Sequence, residues 1–191
     1  MKKNILALSL FAACSAHASA ADTSFFYIGG GYGNTSNVKF SDDKGHSASY
    51  DVSKKTKRIY TGIRFNRFAA LEGQYTDYGD PKVGKLDASS VTVLGNFGFT
   101  TDIGVRPFVN LGLGITAYNS GQNKKHKNEK DGRPSVRYGF GVEYTPKQLP
   151  QISVRLASEH DKVFMDNEDR AVNNPTMDLG SVYLGVSYNL Y

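Results

Sequence analysis

Apolar and small or polar residues exchange places at every second position through most of this chain, in eight separate runs. A period of two is the mark of strands with two unlike faces. The C-terminal run is the clearest: Val182, Leu184, Val186, Tyr188 and Leu190 form one stripe, interleaved with Ser181, Tyr183, Gly185, Ser187, Asn189 and Tyr191. The same alternation marks 24–34 (Phe26, Ile28, Tyr32), 57–65 (Ile59, Ile63, Phe65), 68–78 (Ala69, Leu71, Tyr75) and 90–99 (Val91, Val93, Phe97). It continues in 106–118 (Val109, Leu111, Leu113), 136–145 (Tyr138, Phe140, Val142) and 151–159 (Ile152, Val154, Leu156). Each run is close to the roughly nine to eleven residues that a tilted strand needs to cross a bilayer. No stretch sustains an amphipathic helical period, and none after the N-terminus supplies the roughly twenty apolar residues of a spanning helix. The prolines, at 81, 107, 134, 146, 150 and 175, fall in the expected connections or at strand starts, where a missing N–H costs little.

The connections alternate too. Short ones at 66–67, 100–105 and 146–150 exchange with long polar ones at 35–56, 79–89, 119–135 and 160–178. This is the connectivity of an up-and-down membrane barrel, with short periplasmic turns and long extracellular loops. The face opposite the apolar stripe carries Arg64, Glu72, Asn96, Asn110, Arg137, Glu143 and Arg155. A soluble lipocalin-like barrel would turn its apolar face inward and display the polar one. Charges inward and hydrocarbon outward satisfies every backbone group and leaves no strand edge. The expected fold is therefore all-β: an eight-stranded antiparallel up-and-down transmembrane β-barrel, with both termini in the periplasm and four loops outside.

The N-terminus agrees with export. Lys2 and Lys3, an apolar run from Ile5 to Ala13, and Ala18-Ser19-Ala20 make a secretory signal peptide over 1–20, leaving 21–191 as one barrel domain. The expected location is the bacterial outer membrane. The single cysteine, Cys14, lies within that signal, so the mature chain has no internal disulfide; a lipobox at Phe11–Cys14 would require Phe in place of the usual Leu. Abundant glycine (20) and tyrosine (12) with mean hydropathy of −0.42 suit a barrel, in which only every second strand residue meets lipid.

Resemblance to a known family rests on Gly62-Ile-Arg-Phe-Asn-Arg-Phe-Ala-Ala-Leu-Glu72, Gly141-Val-Glu-Tyr144, Val154-Arg-Leu156 and Leu184-Gly-Val-Ser-Tyr188. In order and spacing these resemble the transmembrane domain of OmpA and the small opacity-type surface antigens. The resemblance covers most of the mature chain and weakens in the long loops. It implies a charge network crossing the barrel interior, at Glu72, Glu143 and Arg155, with Asn96 where the family usually has a lysine. An eight-strand barrel is only wide enough to be filled by side chains, so an inward carboxylate needs a partner. Arg155 is the natural partner for Glu72 or Glu143, with Arg64 and Arg137 as further candidates. The inward glycines, among them Gly29, Gly62, Gly98, Gly141 and Gly185, are expected to leave room for ordered water. The resemblance also makes the C-terminal strand, through Tyr183, Gly185, Tyr188, Leu190 and Tyr191, an assembly signal for the barrel-assembly machinery. The peptidoglycan-binding domain of full-length OmpA is not expected, since the chain ends with the last strand.

Net charge of +5 is concentrated in two segments. One is a basic patch of Lys124, Lys125, His126, Lys127, Lys130 and Arg133; the other is the first loop, with Lys39, Lys44, Lys54, Lys55 and Lys57. Such groups above the outer leaflet suit the phosphates of lipopolysaccharide or sulfated host glycans, although Asp42, Asp43, Glu129 and Asp131 dilute the field and a merely solvated loop is the plainer reading. Nucleic acid is excluded as a partner of an exported barrel. The fourth loop, with Asp161, Asp166, Glu168, Asp169 and Asp178, is acidic without fixed ligand spacing, so no metal or other cofactor is expected. Ser158-Glu159-His160-Asp161 contains the residue types of an acyl-transfer site, but strand neighbours point to opposite faces. The chain is thus not expected to be an enzyme. The expected function is that of a monomeric structural surface protein, an adhesin-like antigen that packs among outer-membrane lipids and lipopolysaccharide. A narrow pore for very small solutes and a lipid A-modifying enzyme are the alternatives.

Overall fold

The computed structural model describes residues 24–41, 47–50, 54–79, 88–118, 131–164 and 176–191. They form nine strands: β1 (Phe25–Ser41), β2 (Ser47–Tyr50), β3 (Lys54–Arg64), β4 (Ala69–Asp77), β5 (Ala88–Gly98), β6 (Val105–Tyr118), β7 (Asp131–Tyr144), β8 (Ile152–Phe164) and β9 (Thr176–Leu190). Eight of them close a barrel in chain order, each antiparallel to the next, and β9 returns to pair with β1 from Phe26↔Leu190 to Ser41↔Thr176. No described barrel strand keeps a free edge, the condition for placing backbone in hydrocarbon. The ninth strand, β2, pairs only with the far end of β1, from Val38↔Tyr50 to Ser41↔Ser47.

That short strand lies inside what the sequence reads as the first loop, and most of the other strands, β4 and β6 excepted, also outrun their expected limits at the same end. β7 begins at Asp131 rather than 136, β8 runs to Phe164 rather than 159, and β9 starts at Thr176 rather than 181. The reason is physical. Beyond the bilayer both faces of a strand meet water, so the period-two signal fades while the backbone ladder continues. Pro134 is accommodated within this extension: it pairs with Ile115 of β6, whereas the ladder to β8 begins one residue later, at Ser135.

The opposite end is trimmed tightly. Asn66 caps the β3–β4 turn by accepting the Phe68 and Ala69 amides at 2.8 and 2.9 Å. The β5–β6 turn closes with Thr101 N donating to Val105 O at 2.9 Å, and needs Gly104 at φ 85°. The Tyr191 ring stacks on Phe25 at 4.7 Å, and its hydroxyl donates to Pro150 O at 3.2 Å. Burial there pushes that hydroxyl's pKa up. The three short turns, Phe25 and Tyr191 lie on this side, and the strand ends that lead into the four long connections lie on the other.

Outside, Ile28, Ile59, Leu71, Val93, Leu111, Leu113, Leu156 and Leu184 form an exposed apolar belt. Aromatics flank it on both sides, with Phe26, Phe65, Phe68, Phe99, Tyr144 and Tyr188 at the short-turn rim and Tyr32, Tyr75 and Tyr138 at the long-loop rim. Inside, an apolar cap of Tyr78, Ala88, Val163, Met177 and Leu179 sits under the long loops, and an aromatic cluster of Tyr27, Tyr60, Phe108 and Tyr183 lies deeper.

Three of the inward glycines make room for side chains from neighbouring strands. A Cβ at Gly29 would stand 2.5 Å from the Tyr60 ring, one at Gly62 2.6 Å from the Tyr27 hydroxyl, and one at Gly141 2.6 Å from Phe108 Cζ. Each glycine is the hollow in which a ring from another strand lies, which is how so narrow a barrel holds four large aromatics.

Candidate functional site: the barrel interior and its outer rim

Alternation sends one side chain in two into the barrel, and the inward set is polar enough to build two charge clusters. The first lies towards the short turns. Arg155 Nη1 donates to Glu72 Oε1 at 3.0 Å, while its Nε and Nη2 donate to Glu143 Oε2 at 3.2 and 3.0 Å. Arg64 donates to the other Glu143 oxygen, and the Tyr27 hydroxyl to Glu72 Oε2 at 2.6 Å. The Arg155 guanidinium lies over the Tyr60 and Phe108 rings, 4.4 and 5.0 Å from their centroids. Asn96 stands beside this group and accepts from Arg106 Nη1 at 2.6 Å.

A second cluster lies above it, towards the loops. Arg137 grips Asp161 with both Nε (2.6 Å) and Nη2 (2.7 Å), the fork geometry that only arginine offers. Its remaining donors go to Gln74 Oε1 at 2.5 Å, Thr76 Oγ1 at 3.0 Å and Ser90 Oγ at 3.2 Å. Arg58 is paired with Glu159, which also accepts from Asn110 Nδ2 at 2.8 Å and the Tyr183 hydroxyl at 2.9 Å. Gln74 ties the clusters together, its Nε2 donating to Glu72 at 2.5 Å and Glu159 at 3.4 Å. All nine charged side chains are buried. Carboxylates pair with arginines in both clusters, and Arg106 alone bonds only neutral acceptors.

Of the expected network, Arg64, Glu72, Glu143 and Arg155 are brought into mutual contact. Arg137 is not with them: it belongs to the upper cluster, because its register places it opposite Asp161. Asn96 bonds a cation rather than replacing one. Sequence reasoning missed Arg58, Arg106, Glu159 and Asp161. Arg58 and Glu159 follow from the parity that turns Ile59 and Leu156 outward, and Asp161 from continuing the β8 alternation two residues further. Only Asp161 was hidden because 160–178 reads as a loop. Asp161 is therefore not part of an acidic loop but a buried partner of Arg137, and Asp178 lies in β9.

The Ser158–Asp161 tetrad is split as alternation requires, with Glu159 and Asp161 inside. Outside, His160 finds a different partner: its Nδ1 lies 3.0 Å from Asp178 Oδ1, and the Tyr138 hydroxyl donates to Asp178 Oδ2 at 2.9 Å. The Tyr138 and His160 rings stack with centroids 5.3 Å apart. Gly180 makes this possible, since a Cβ there would stand 2.7 Å from His160 Cε1. The group sits just above the apolar belt.

Lys124, Lys125, His126, Lys127 and Lys130 of the basic patch lie outside the described residues, as do Asp166, Glu168 and Asp169. Arg133 is half-buried in β7, opposite Thr116. In the C-terminal strand Tyr183 points inward to Glu159, Gly185 lies under the Tyr60 hydroxyl, and Tyr188 and Leu190 face outward. Among the described residues no group of three His, Cys, Asp or Glu is placed to hold a metal ion.

Comparison with known proteins adds what geometry alone does not. The model of the outer membrane protein beta-barrel domain family matches residues 6–189. The chain belongs to this family. It is accordingly a protein of the bacterial outer membrane. Among solved structures, this outer-membrane barrel is similar to Neisserial surface protein A (NspA), at 18% identity and TM-score 0.61 over 87% of this chain and 99% of that one. It is also similar to the N-terminal barrel domain of Pseudomonas aeruginosa OprF, at 13% identity and TM-score 0.54, covering 86% and 97%. Ail of Yersinia pestis, crystallised with the heparin analogue sucrose octasulfate, matches at 18% identity and TM-score 0.50, covering 87% and 99%. At these identities the likeness is one of fold. No curated protein matches the sequence significantly.

Proposed function

We propose that this outer-membrane barrel is a structural surface protein that works through its extracellular loops, as an adhesin-like antigen for sulfated glycans or lipopolysaccharide phosphates. In this reading residues 1–20 direct export, and the aromatic-ended β9 presents the chain to the barrel-assembly machinery as a monomer. The observation that carries it is the filled interior. Two clusters of buried charges under an apolar cap speak against an open channel, and so favour placing the surface-binding chemistry in the basic loop of Lys124, Lys125, Lys127 and Lys130. Ail, with its bound heparin analogue, lends support as a barrel of like fold.

The test is retention on immobilised heparin by the full mature chain in detergent. Replacing those four lysines by glutamine should move elution to clearly lower salt, because the interaction is screened, while the barrel still shifts on a denaturing gel when boiled. Unchanged retention by a folded variant would overturn the glycan reading. The runner-up, a narrow pore, is favoured only by the continuous polar interior. Planar-bilayer recording is expected to show no steady conductance, and a stable open level like that of a general porin would reverse the choice.

A further inference from the structure

The interior charges do not balance. Among the described buried residues there are five arginines (58, 64, 106, 137 and 155) and four carboxylates (Glu72, Glu143, Glu159 and Asp161). In the upper cluster two arginines meet two carboxylates. The surplus therefore falls in the lower one, where Arg64, Arg106 and Arg155 share Glu72 and Glu143. Arg155 and Arg64 occupy the Glu143 oxygens directly, and Arg106 hydrogen-bonds only neutral acceptors: Asn96 Oδ1 at 2.6 Å, Asn96 O at 3.4 Å and Phe68 O at 3.5 Å. A guanidinium does not shed its proton in a protein, so the excess charge is permanent.

Three unused hydrogen-bond donors lie in the same place: Asn96 Nδ2, Arg106 Nε and Arg64 Nε are each buried without a partner, whereas in the balanced upper cluster Arg58 Nε and Asn110 Oδ1 are left over, one donor and one acceptor. Arg64 and Arg106 are near enough to one another to interact electrostatically. Ladder register links them around the wall, with Arg64 opposite Ala70, Ala70 opposite Asn96, and Arg106 opposite Glu143. What these three groups need is an acceptor that also carries negative charge. Water supplies the first and not the second.

We propose that Arg64, Asn96 and Arg106 form a binding site for one small monovalent inorganic anion, of the size of a halide, in the short-turn end of the barrel. The anion enters from the periplasm, since Arg106 is the second residue of β6 and one of its acceptors, Phe68 O, belongs to the turn that forms the rim. It neutralises the surplus guanidinium and so makes the stability of the barrel depend on a dissolved ion. Fixed positive charge on side chains that are themselves buried interacts with such an ion more strongly than it would in bulk water.

The experiment uses the full mature chain in detergent, with sodium bromide or sodium sulfate at matched ionic strength. Bromide should raise the midpoint of the heat-induced gel shift by several degrees relative to sulfate. Asn96→Asp places a carboxylate where Arg106 already donates; it should raise the midpoint in sulfate and abolish the response to bromide. Arg106→Gln removes the surplus and should abolish the response as well. Crystals grown in bromide should show an anomalous peak within hydrogen-bond reach of all three side chains. A bromide response unchanged in either variant overturns the proposal. So does an anomalous map without that peak, which decides the matter alone if neither variant folds.

Discussion

The two charge clusters inside this barrel use the same residue types and end in different states. In the upper one every carboxylate has an arginine of its own, and neutral groups of Gln74, Thr76, Ser90, Asn110 and Tyr183 take up most of the remaining donors and acceptors, leaving Arg58 Nε and Asn110 Oδ1. In the lower one three arginines compete for two carboxylates, and Arg106 is left with amide and carbonyl oxygens. Burial is nearly complete in both. The difference lies in neutrality rather than in solvent access. A neutral cluster is a plug. A cluster with one cation too many and donors to spare is a plug that, on the proposal above, still has an affinity.

The sharpest way to test that difference is to delete one arginine from each. Arg137→Met leaves Asp161 buried with the Tyr78 hydroxyl and no counter-charge, and should cost about 3–5 kcal/mol, the loss typical of breaking one side of a buried ion pair. Arg106→Met strands no carboxylate and should cost less than about 1 kcal/mol measured in sulfate, since it also relieves the surplus. Urea unfolding from detergent measures both. Equal losses would mean that the two clusters are alike and that the distinction drawn between them is wrong.

Packing offers a second contrast, between the faces of the wall. Gly141→Ala would press a Cβ to 2.6 Å from Leu156 O and from Phe108 Cζ, and such overpacking should cost about 1–3 kcal/mol. Gly73→Ala, on the lipid side with its nearest neighbour at 4.0 Å, should change stability by less than about 0.5 kcal/mol. Similar losses at both positions in the same unfolding assay would show that the rings do not fill the inward glycines as described.

The parts of this structure that were legible in the sequence are those where the two faces of a strand meet different media. Between Phe26 and Tyr32, or Val182 and Leu190, one neighbour is hydrocarbon and the next is barrel interior, so the residues alternate and the strand declares itself. Glu72, Glu143 and Arg155 could be placed inside by the same parity. Where strands run on into water, as at β1–β2 and the start of β7, the alternation loses its cause and the extension went unseen. Asp161 was lost with it, read as a loop acid although it lies on the inward parity of β8. Which arginine meets which carboxylate was beyond parity altogether, because partners such as Arg155 and Glu72 come from strands far apart in the chain. Shear, ring packing and side-chain reach decide that matching, and none of them has a local signature.

A last contrast belongs to a pair that looks almost the same on paper. Asp161 inside and Asp178 outside each accept from a tyrosine and from a nitrogen-bearing side chain: Tyr78 and Arg137 in one case, Tyr138 and His160 in the other. The inner carboxylate is fully buried, whereas the side chains of His160 and Asp178 are 31% and 27% exposed. Exposure lets water replace whatever is removed, so Asp178→Asn should cost less than about 1 kcal/mol. Asp161→Asn would instead leave Arg137 without its fork partner in a site water cannot refill, and belongs with the losses of about 3–5 kcal/mol. Both substitutions keep shape and remove one charge. A loss at Asp178 as large as that at Asp161 would mean that the rim group is shielded by lipid as thoroughly as the core is by protein, and the boundary of the bilayer would then have to be drawn above it.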